Sequence, residues 1–206
     1  GIAYAEAPAS IRNVAPLVSV PETSQPAGAE GSQLIVKAGF TDAAANDGPF
    51  ACSVDYGDGT GEHEAKVNGY TCSGLVHTYA QSGDFDVTVS ITDKDGAVGT
   101  NSLAYTVSNV PPAVELSGPA TANEGETKSY AFTAVDPGDD GFTLLSQSCG
   151  AGATLANAAF DAGAGAGSFD CTFPDGEATY VVSVQVADSD GAPSDQGALS
   201  VAVADV

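Results

Sequence analysis

Phe85-Asp86-Val87-Thr88-Val89-Ser90-Ile91, followed by Thr92-Asp93-Lys94-Asp95-Gly96-Ala97, is the stretch on which the fold turns. Apolar residues stand at every second position, the period of a β-strand with one buried face. Asp-x-Asp-Gly then ends the strand, since Asp bonds its own backbone and Gly supplies positive φ. The arrangement returns as Tyr180-Val181-Val182-Ser183-Val184-Gln185-Val186 and Asp188-Ser189-Asp190-Gly191-Ala192. Working outward, Asn13-Val14-Ala15-Pro16 recurs as Asn109-Val110-Pro111-Pro112, Ala29-Glu30-Gly31 as Asn123-Glu124-Gly125, and Thr41-Asp42 as Val135-Asp136. The matches keep their order at a spacing of about 95 residues, the signature of an internal repeat.

Two tandem copies follow, residues 13–108 and 109–206, and Asp205-Val206 stands where a third would begin. Residues 1–12 stand apart. Ile2-Ala3-Tyr4 echoes Leu103-Ala104-Tyr105, so the segment reads either as the last strand of a preceding copy or as an N-terminal arm. The chain has no Met and reads as a mature or excised segment. Gly, Asp, Asn and Pro punctuate short β-branched runs, and no long helical period is present. The expected fold class is all-β, two tandem β-sandwiches. In immunoglobulin order the first copy has strands A 17–20, B 33–40, C 50–55, F 84–91 and G 98–107. The second has A 113–116, B 128–135, C 142–147, F 180–187 and G 197–204. Each copy owns a G strand, which argues against completion by a donated strand.

Charge narrows the function. There are 27 acidic and 5 basic residues, a formal net charge of −22. Binding to nucleic acid or anionic membranes needs clustered Lys and Arg, which this chain lacks. No apolar run reaches the roughly 18 residues that span a bilayer as a helix. The four cysteines, Cys52, Cys72, Cys149 and Cys171, form no CxxC pair, which disfavours zinc. One pair falls in each copy, and the reading adopted is two disulfides, Cys52–Cys72 and Cys149–Cys171. Two other connectivities, or buried free thiols, remain open. Disulfides imply an oxidising compartment, so an extracellular or cell-surface location is expected.

The first copy resembles a known family. Val54-Asp55-Tyr56-Gly57-Asp58-Gly59-Thr60, His77-Thr78-Tyr79, Gly83-Asp84-Phe85-Asp86-Val87-Thr88-Val89 and Thr92-Asp93-Lys94-Asp95-Gly96 look like a PKD (polycystic kidney disease) domain. The resemblance implies a seven-stranded immunoglobulin-like sandwich on extracellular proteins. Members serve as spacers, adhesive modules or carbohydrate- and protein-binding accessories. The second copy lacks the Tyr-Gly-Asp-Gly-Thr and His-Thr-Tyr motifs, with Ser148-Cys149-Gly150-Ala151-Gly152 and Thr172-Phe173-Pro174 near those positions. It reads as PKD-like or generically immunoglobulin-like.

In such a sandwich the segment leading into strand A, the B–C loop and the F–G turn meet at one pole. The first copy gathers Asn13, Asp42, Asp93 and Asp95 there, and the second Asn109, Asp136, Asp188 and Asp190. Clustered carboxylates repel unless they are neutralised or protonated. Ca²⁺, which takes six to eight oxygen ligands, is the expected cofactor. The alternative is a solvated acidic surface, of a kind suited to high salt. The A–B turn of the first copy lies at the opposite pole, so Glu30 is expected to complete a junction site with Asn109, Asp136, Asp188 and Asp190. Asn13, Asp42, Asp93 and Asp95 would then be one half-site, and Glu124 with Asp205 the other. This resembles the logic of cadherin-like arrays. It points to a calcium-stiffened rod, or to identical subunits stacked head to tail.

Catalysis has little support. His63 and His77 are the only histidines; His77 sits in the family motif, and His63 is read as part of an exposed turn, Gly61–Glu64. Gly57–Thr60 reads as a tight turn, and Tyr79 as a packed residue whose hydroxyl meets backbone. A non-catalytic structural repeat is expected, with an adhesive module for surface glycans or proteins as the alternative.

Overall fold

The computed structural model describes residues 12–43 and 46–206. The expectation for residues 1–12 therefore falls, apart from Arg12, outside the described chain. The described residues are all-β, with no helix among them. They divide into two compact units. The first runs from the start of the described chain to Gly28 and adds Gln33–Thr78 and Asp84–Val107. The second comprises Ala29–Ser32, Tyr79–Gly83 and Ser108–Val206.

In the first unit the strands are β1 (Leu17–Val18), β2 (Glu22–Thr23), β3 (Gly28–Ala29), β4 (Gln33–Leu34), β5 (Val36–Thr41), β6 (Ala51–Asp55), β7 (Glu62–Asn68), β8 (Thr71–Ser73), β9 (His77–Thr78), β10 (Gly83–Thr92) and β11 (Val98–Ser108). The alternation in β10 buries Val87, Val89 and Ile91 completely, each contributing roughly 1.5–3 kcal/mol of transfer free energy. Antiparallel β6 sets Val54 opposite Val89. Strand β7 changes partner midway: Glu62–Ala65 pair with β6 and Lys66–Asn68 with β8. Cys52 of β6 is bonded to Cys72 of β8, as read from the sequence.

Two strand readings are refined. Residues 33–40 are not one strand: β4 pairs with β9 and β5 with β8. The alternation does not show this, because Leu34, Val36, Ala38 and Phe40 stay buried in phase through the change of partner. Residues 17–20 shorten to β1, with β2 resuming beyond Pro21, which has no N–H to give a ladder.

The second unit is a sandwich of two four-stranded sheets. One has the order β12 (Ala113–Ser117), β14 (Thr127–Val135), β17 (Ala166–Thr172), β16 (Thr154–Asp161). The other runs β13 (Thr121–Asn123), β19 (Gly197–Ala204), β18 (Ala178–Ala187), β15 (Thr143–Ser148). Between them lie Tyr130, Phe132, Phe169, Phe173, Val182, Val184, Val186 and Val201. The Cys149–Cys171 disulfide ties the end of β15 to β17 and so staples one sheet to the other.

Candidate cation site

The acidic pole of the second unit is built by three loops. After β14, Pro137 ends the ladder, and Gly138 N–H donates to Asp136 Oδ1 at 2.8 Å. Gly138 is needed for space: a Cβ there would lie 2.8 Å from Glu30 Oε2 and 2.9 Å from Asp140 Oδ2. After β18, Asp188 closes a tight turn, accepting from Ala192 N–H at 2.8 Å through Oδ1 and from Asn109 Nδ2 at 2.8 Å through Oδ2. Glu30 enters on a loop whose Glu30 N–H donates to Ser108 O at 3.1 Å and whose Gly31 N–H donates to Tyr79 O at 3.0 Å. Its Oε1 accepts from Val110 N–H at 2.6 Å.

Glu30, Asp136 and Asp140 each bring a carboxylate oxygen within 4.8 Å of the others. Glu30 is only 2% exposed. Among the described residues no donor reaches four buried side-chain oxygens: Glu30 Oε2, Asn109 Oδ1, Asp136 Oδ2 and Asp140 Oδ2. None of the ion pairs among those residues involves this pole. Buried acceptors in native proteins are normally satisfied, so four together call for a ligand that donates or is positive. Burial, and then the charges of Asp136, Asp140 and Asp190, raise the Glu30 pKa, although the Val110 N–H pulls the other way. Burial, followed by Asp140, Asp188 and Asp190, does the same to Asp136, against the Gly138 N–H. Oxygen-only donors of one sign suit a hard cation such as Ca²⁺. Asp188 is buried and held by Asn109, while Asp190 Oδ2 accepts from Ser82 Oγ at 2.7 Å.

The first unit repeats the scaffold with different contents. Asp93 accepts from Asn13 Nδ2 at 2.9 and 3.1 Å, and from Asp95 and Ala97 N–H groups at 2.9 Å. Burial opposes its ionisation, but the Ala97 N–H, Asn13 and the other turn donors prevail and lower its pKa. Asp42, Asp47 and Asp93 form a second group of carboxylates within 4.8 Å. Asp95 turns instead to Lys94, whose Nζ donates to Asp47 Oδ1 at 2.8 Å and Asp95 Oδ2 at 2.7 Å. Hydrogen bonds to Asp47 and then Asp95 raise the lysine pKa.

At the far end of the second unit, the Glu124 loop copies that of Glu30. Glu124 N–H donates to Ala204 O at 2.9 Å and Gly125 N–H to Phe173 O at 2.6 Å. A side-chain hydrogen bond with Asp205, and that residue's charge, raise the Glu124 pKa.

Sequence reasoning missed Asp47 and Asp140. A signal was there: both precede Gly in the B–C loop, in Asn46-Asp47-Gly48 and Asp139-Asp140-Gly141.

Residues 13–107 match the PKD domain family. The match spans the first repeat, 95 of the chain's 206 residues. The chain thus holds a first repeat that matches this family and, in its second unit, a sandwich of two four-stranded sheets. No curated protein sequence matches the chain. Similar solved structures include the PKD domain of an M14-like peptidase from a Thermoplasmatales archaeon, 28% identical, covering 47% of this chain and 99% of that one at a TM-score of 0.40. An I-band fragment of titin is 14% identical, with 93% and 67% covered and a TM-score of 0.38. The extracellular domain of protocadherin GammaB4 is 15% identical, with 90% and 33% covered and a TM-score of 0.31.

The motif residues of the PKD domain have packing roles here. Asp58 Oδ1 accepts from Thr60 N–H and Oγ1 at 3.1 and 2.6 Å, the expected tight turn. Asp58 Oδ2 meets His77 Nε2 at 2.7 Å, and the His77 ring stacks on Tyr56 with centroids 3.8 Å apart. Desolvation opposes ionisation of Asp58, yet the Thr60 and His77 hydrogen bonds outweigh it and lower its pKa. Tyr56 Oη donates to Leu75 O at 2.9 Å. His63 is not in a turn, as read from its Gly and Glu neighbours; it lies in β7 with its edge to Tyr56 and its Nε2 2.9 Å from Thr60 Oγ1. His77→Ala is expected to destabilise the first unit by about 1–2 kcal/mol, through the lost Asp58 partner and ring stack. Urea unfolding followed by tyrosine fluorescence measures it.

Proposed function

We propose that this chain is a non-catalytic extracellular structural module whose second unit binds Ca²⁺ through Glu30, Asn109, Asp136 and Asp140, with Asp188 and Asp190 adding negative charge. The reading rests on one observation: four buried side-chain oxygens at this acidic pole, three of carboxylates and one of Asn109, meet no hydrogen-bond donor. The disulfides suit an oxidising, extracellular setting. On this reading the ion fastens the Glu30 loop to the loops of Asp136 and Asp140 within the second unit and stiffens that unit. The Glu124 loop, with the same backbone bonds as the Glu30 loop, is the surface through which a further copy of the Asn13, Asp42 and Asp93 pole would join head to tail.

Thermal unfolding in EDTA, then in excess Ca²⁺, tests the proposal. A ligand bound only by the folded state stabilises it by about 2.7 kcal/mol at a hundredfold excess over Kd. For a unit of this size, that corresponds to a rise in Tm on the order of 10 °C. An unchanged Tm would sink the calcium reading and leave a disulfide-stapled spacer. Electron microscopy of the chain at high concentration reports on the stacking.

The adhesive reading has its own observation. Leu17, Val18, Phe40 and Tyr70 line an open apolar groove of about 450 Å³ in the first unit, with Leu17 and Tyr70 exposed. Pull-down on polysaccharides, compared between wild type and Tyr70→Ala, tests that alternative.

A further inference from the structure

The two acidic poles share one backbone scaffold but differ in the side chains that meet there, Glu30 at one and Lys94 at the other. Asp93 N–H donates to Ala97 O at 3.1 Å, and Asp188 N–H to Ala192 O at 3.1 Å. Asp93 Oδ1 accepts from Ala97 N–H at 2.9 Å, and Asp188 Oδ1 from Ala192 N–H at 2.8 Å. Asn13 holds Asp93 as Asn109 holds Asp188. Asp47, between β5 and β6, and Asp140, between β14 and β15, occupy matching loops. Within this common frame, position 94 is Lys where position 189 is Ser. Lys94 Nζ lies between Asp47 and Asp95 carboxylates at 2.8 and 2.7 Å, and Lys94 N–H also donates to Asp47 O at 3.1 Å. Ser189 can only give its hydroxyl to Asp140 Oδ1, which adds no positive charge.

We propose that Lys94 is a covalently attached stand-in for the metal ion: its ammonium neutralises the acidic pole of the first unit, so the chain takes up one divalent cation, at the second unit only. The identity of this one position, Lys or Ser, then decides whether a pole is permanently neutralised or depends on calcium. An ammonium offers three donors and one charge on a flexible stem, enough to satisfy carboxylates without a six- to eight-oxygen shell. It also cannot be removed by a chelator. The inference rests on the calcium reading of the second unit, and the experiment separates the two.

Isothermal titration of the full chain with CaCl₂, checked by equilibrium dialysis with ⁴⁵Ca, gives the stoichiometry. One ion is expected for wild type and two for Lys94→Ser. The new site should be the weaker, because the first pole has no counterpart of Glu30 among the described residues. Adding Asp47→Asn to Lys94→Ser should return the count to one. The converse variant, Ser189→Lys, should bind no ion and should unfold at the same temperature in EDTA and in Ca²⁺. It provides a second test if Lys94→Ser fails to fold. Two ions on wild type, or one on a folded Lys94→Ser, overturns the role of Lys94 while leaving the calcium reading intact. No ion on wild type overturns both.

Discussion

Replacing Cys149 and Cys171 by alanine should lower the unfolding free energy of the second unit by about 3 kcal/mol. The bond joins residues 22 apart, and cross-linking a loop of that size removes about that much chain entropy from the unfolded state. The location adds to the effect. Both cysteines are buried, at 2% and 0% exposure, beside Phe169 and Phe173 in the core cluster. They hold β15 and β17, which lie in different sheets. Without the bond, side-chain packing carries more of the hold between the two layers. The loss corresponds to a fall in Tm on the order of 15 °C. It should appear equally in wild type treated with reductant under unfolding conditions. A shift below about 1 kcal/mol would mean that the unfolded chain is already compact there.

Glu30→Gln should abolish the calcium response of the second unit and, in EDTA at neutral pH, make the protein more stable than wild type. Glutamine keeps the shape and an oxygen for the Val110 N–H, but removes one charge from a pole where burial and like charges raise the pKa of Glu30 and Asp136. The sign follows from proton linkage. A carboxyl whose folded pKa exceeds its unfolded value binds more protons when folded, so stability falls as pH rises through the gap and stays low above it. In chelator, wild type therefore loses stability from this pole as pH climbs above the ordinary values of 3.8 for Asp136 and 4.5 for Glu30. Asp58 and Asp93, with lowered pKa, contribute the opposite slope at lower pH. The difference between wild type and Glu30→Gln isolates the pole. Excess Ca²⁺ should invert the ranking, since only wild type gains the roughly 2.7 kcal/mol of mass-action stabilisation at a hundredfold excess over Kd. A Glu30→Gln protein that is less stable than wild type in EDTA would show that the carboxylate is an ordinary structural acceptor.

The strands that carry the core were legible because their alternation is strict. Val87, Val89 and Ile91, or Val182, Val184 and Val186, admit no other reading. Strand β7 was hidden by its composition: Glu62-His63-Glu64-Ala65-Lys66-Val67-Asn68 has no fully buried residue, so charge and small side chains mask its period. Strand β16, with three alanines among eight residues, is obscured in the same way. At the two acidic poles, the repeat offset located Asp42, Asp136, Asp93 and Asp188. It passed over Asp47 and Asp140 because the loops differ in length, which slips the alignment by one residue between Asp42–Asp136 and Asp47–Asp140. Nor does spacing reveal which way a side chain turns. Asp95 and Asp190 are equivalent in sequence, yet one bonds Lys94 and the other Ser82.

The disulfides also govern what happens when the backbone is cut. The exposed turns at Gly57–Gly61 and Asn68–Tyr70 both lie between Cys52 and Cys72, and the exposed Asp161–Ala164 turn lies between Cys149 and Cys171. Exposed glycine-rich tips of this kind are where proteases strike first. A cut at any of the three leaves the two ends joined through sulfur, with the ladders on either side still paired. The chain can thus be scarred at these exposed surface points without being severed.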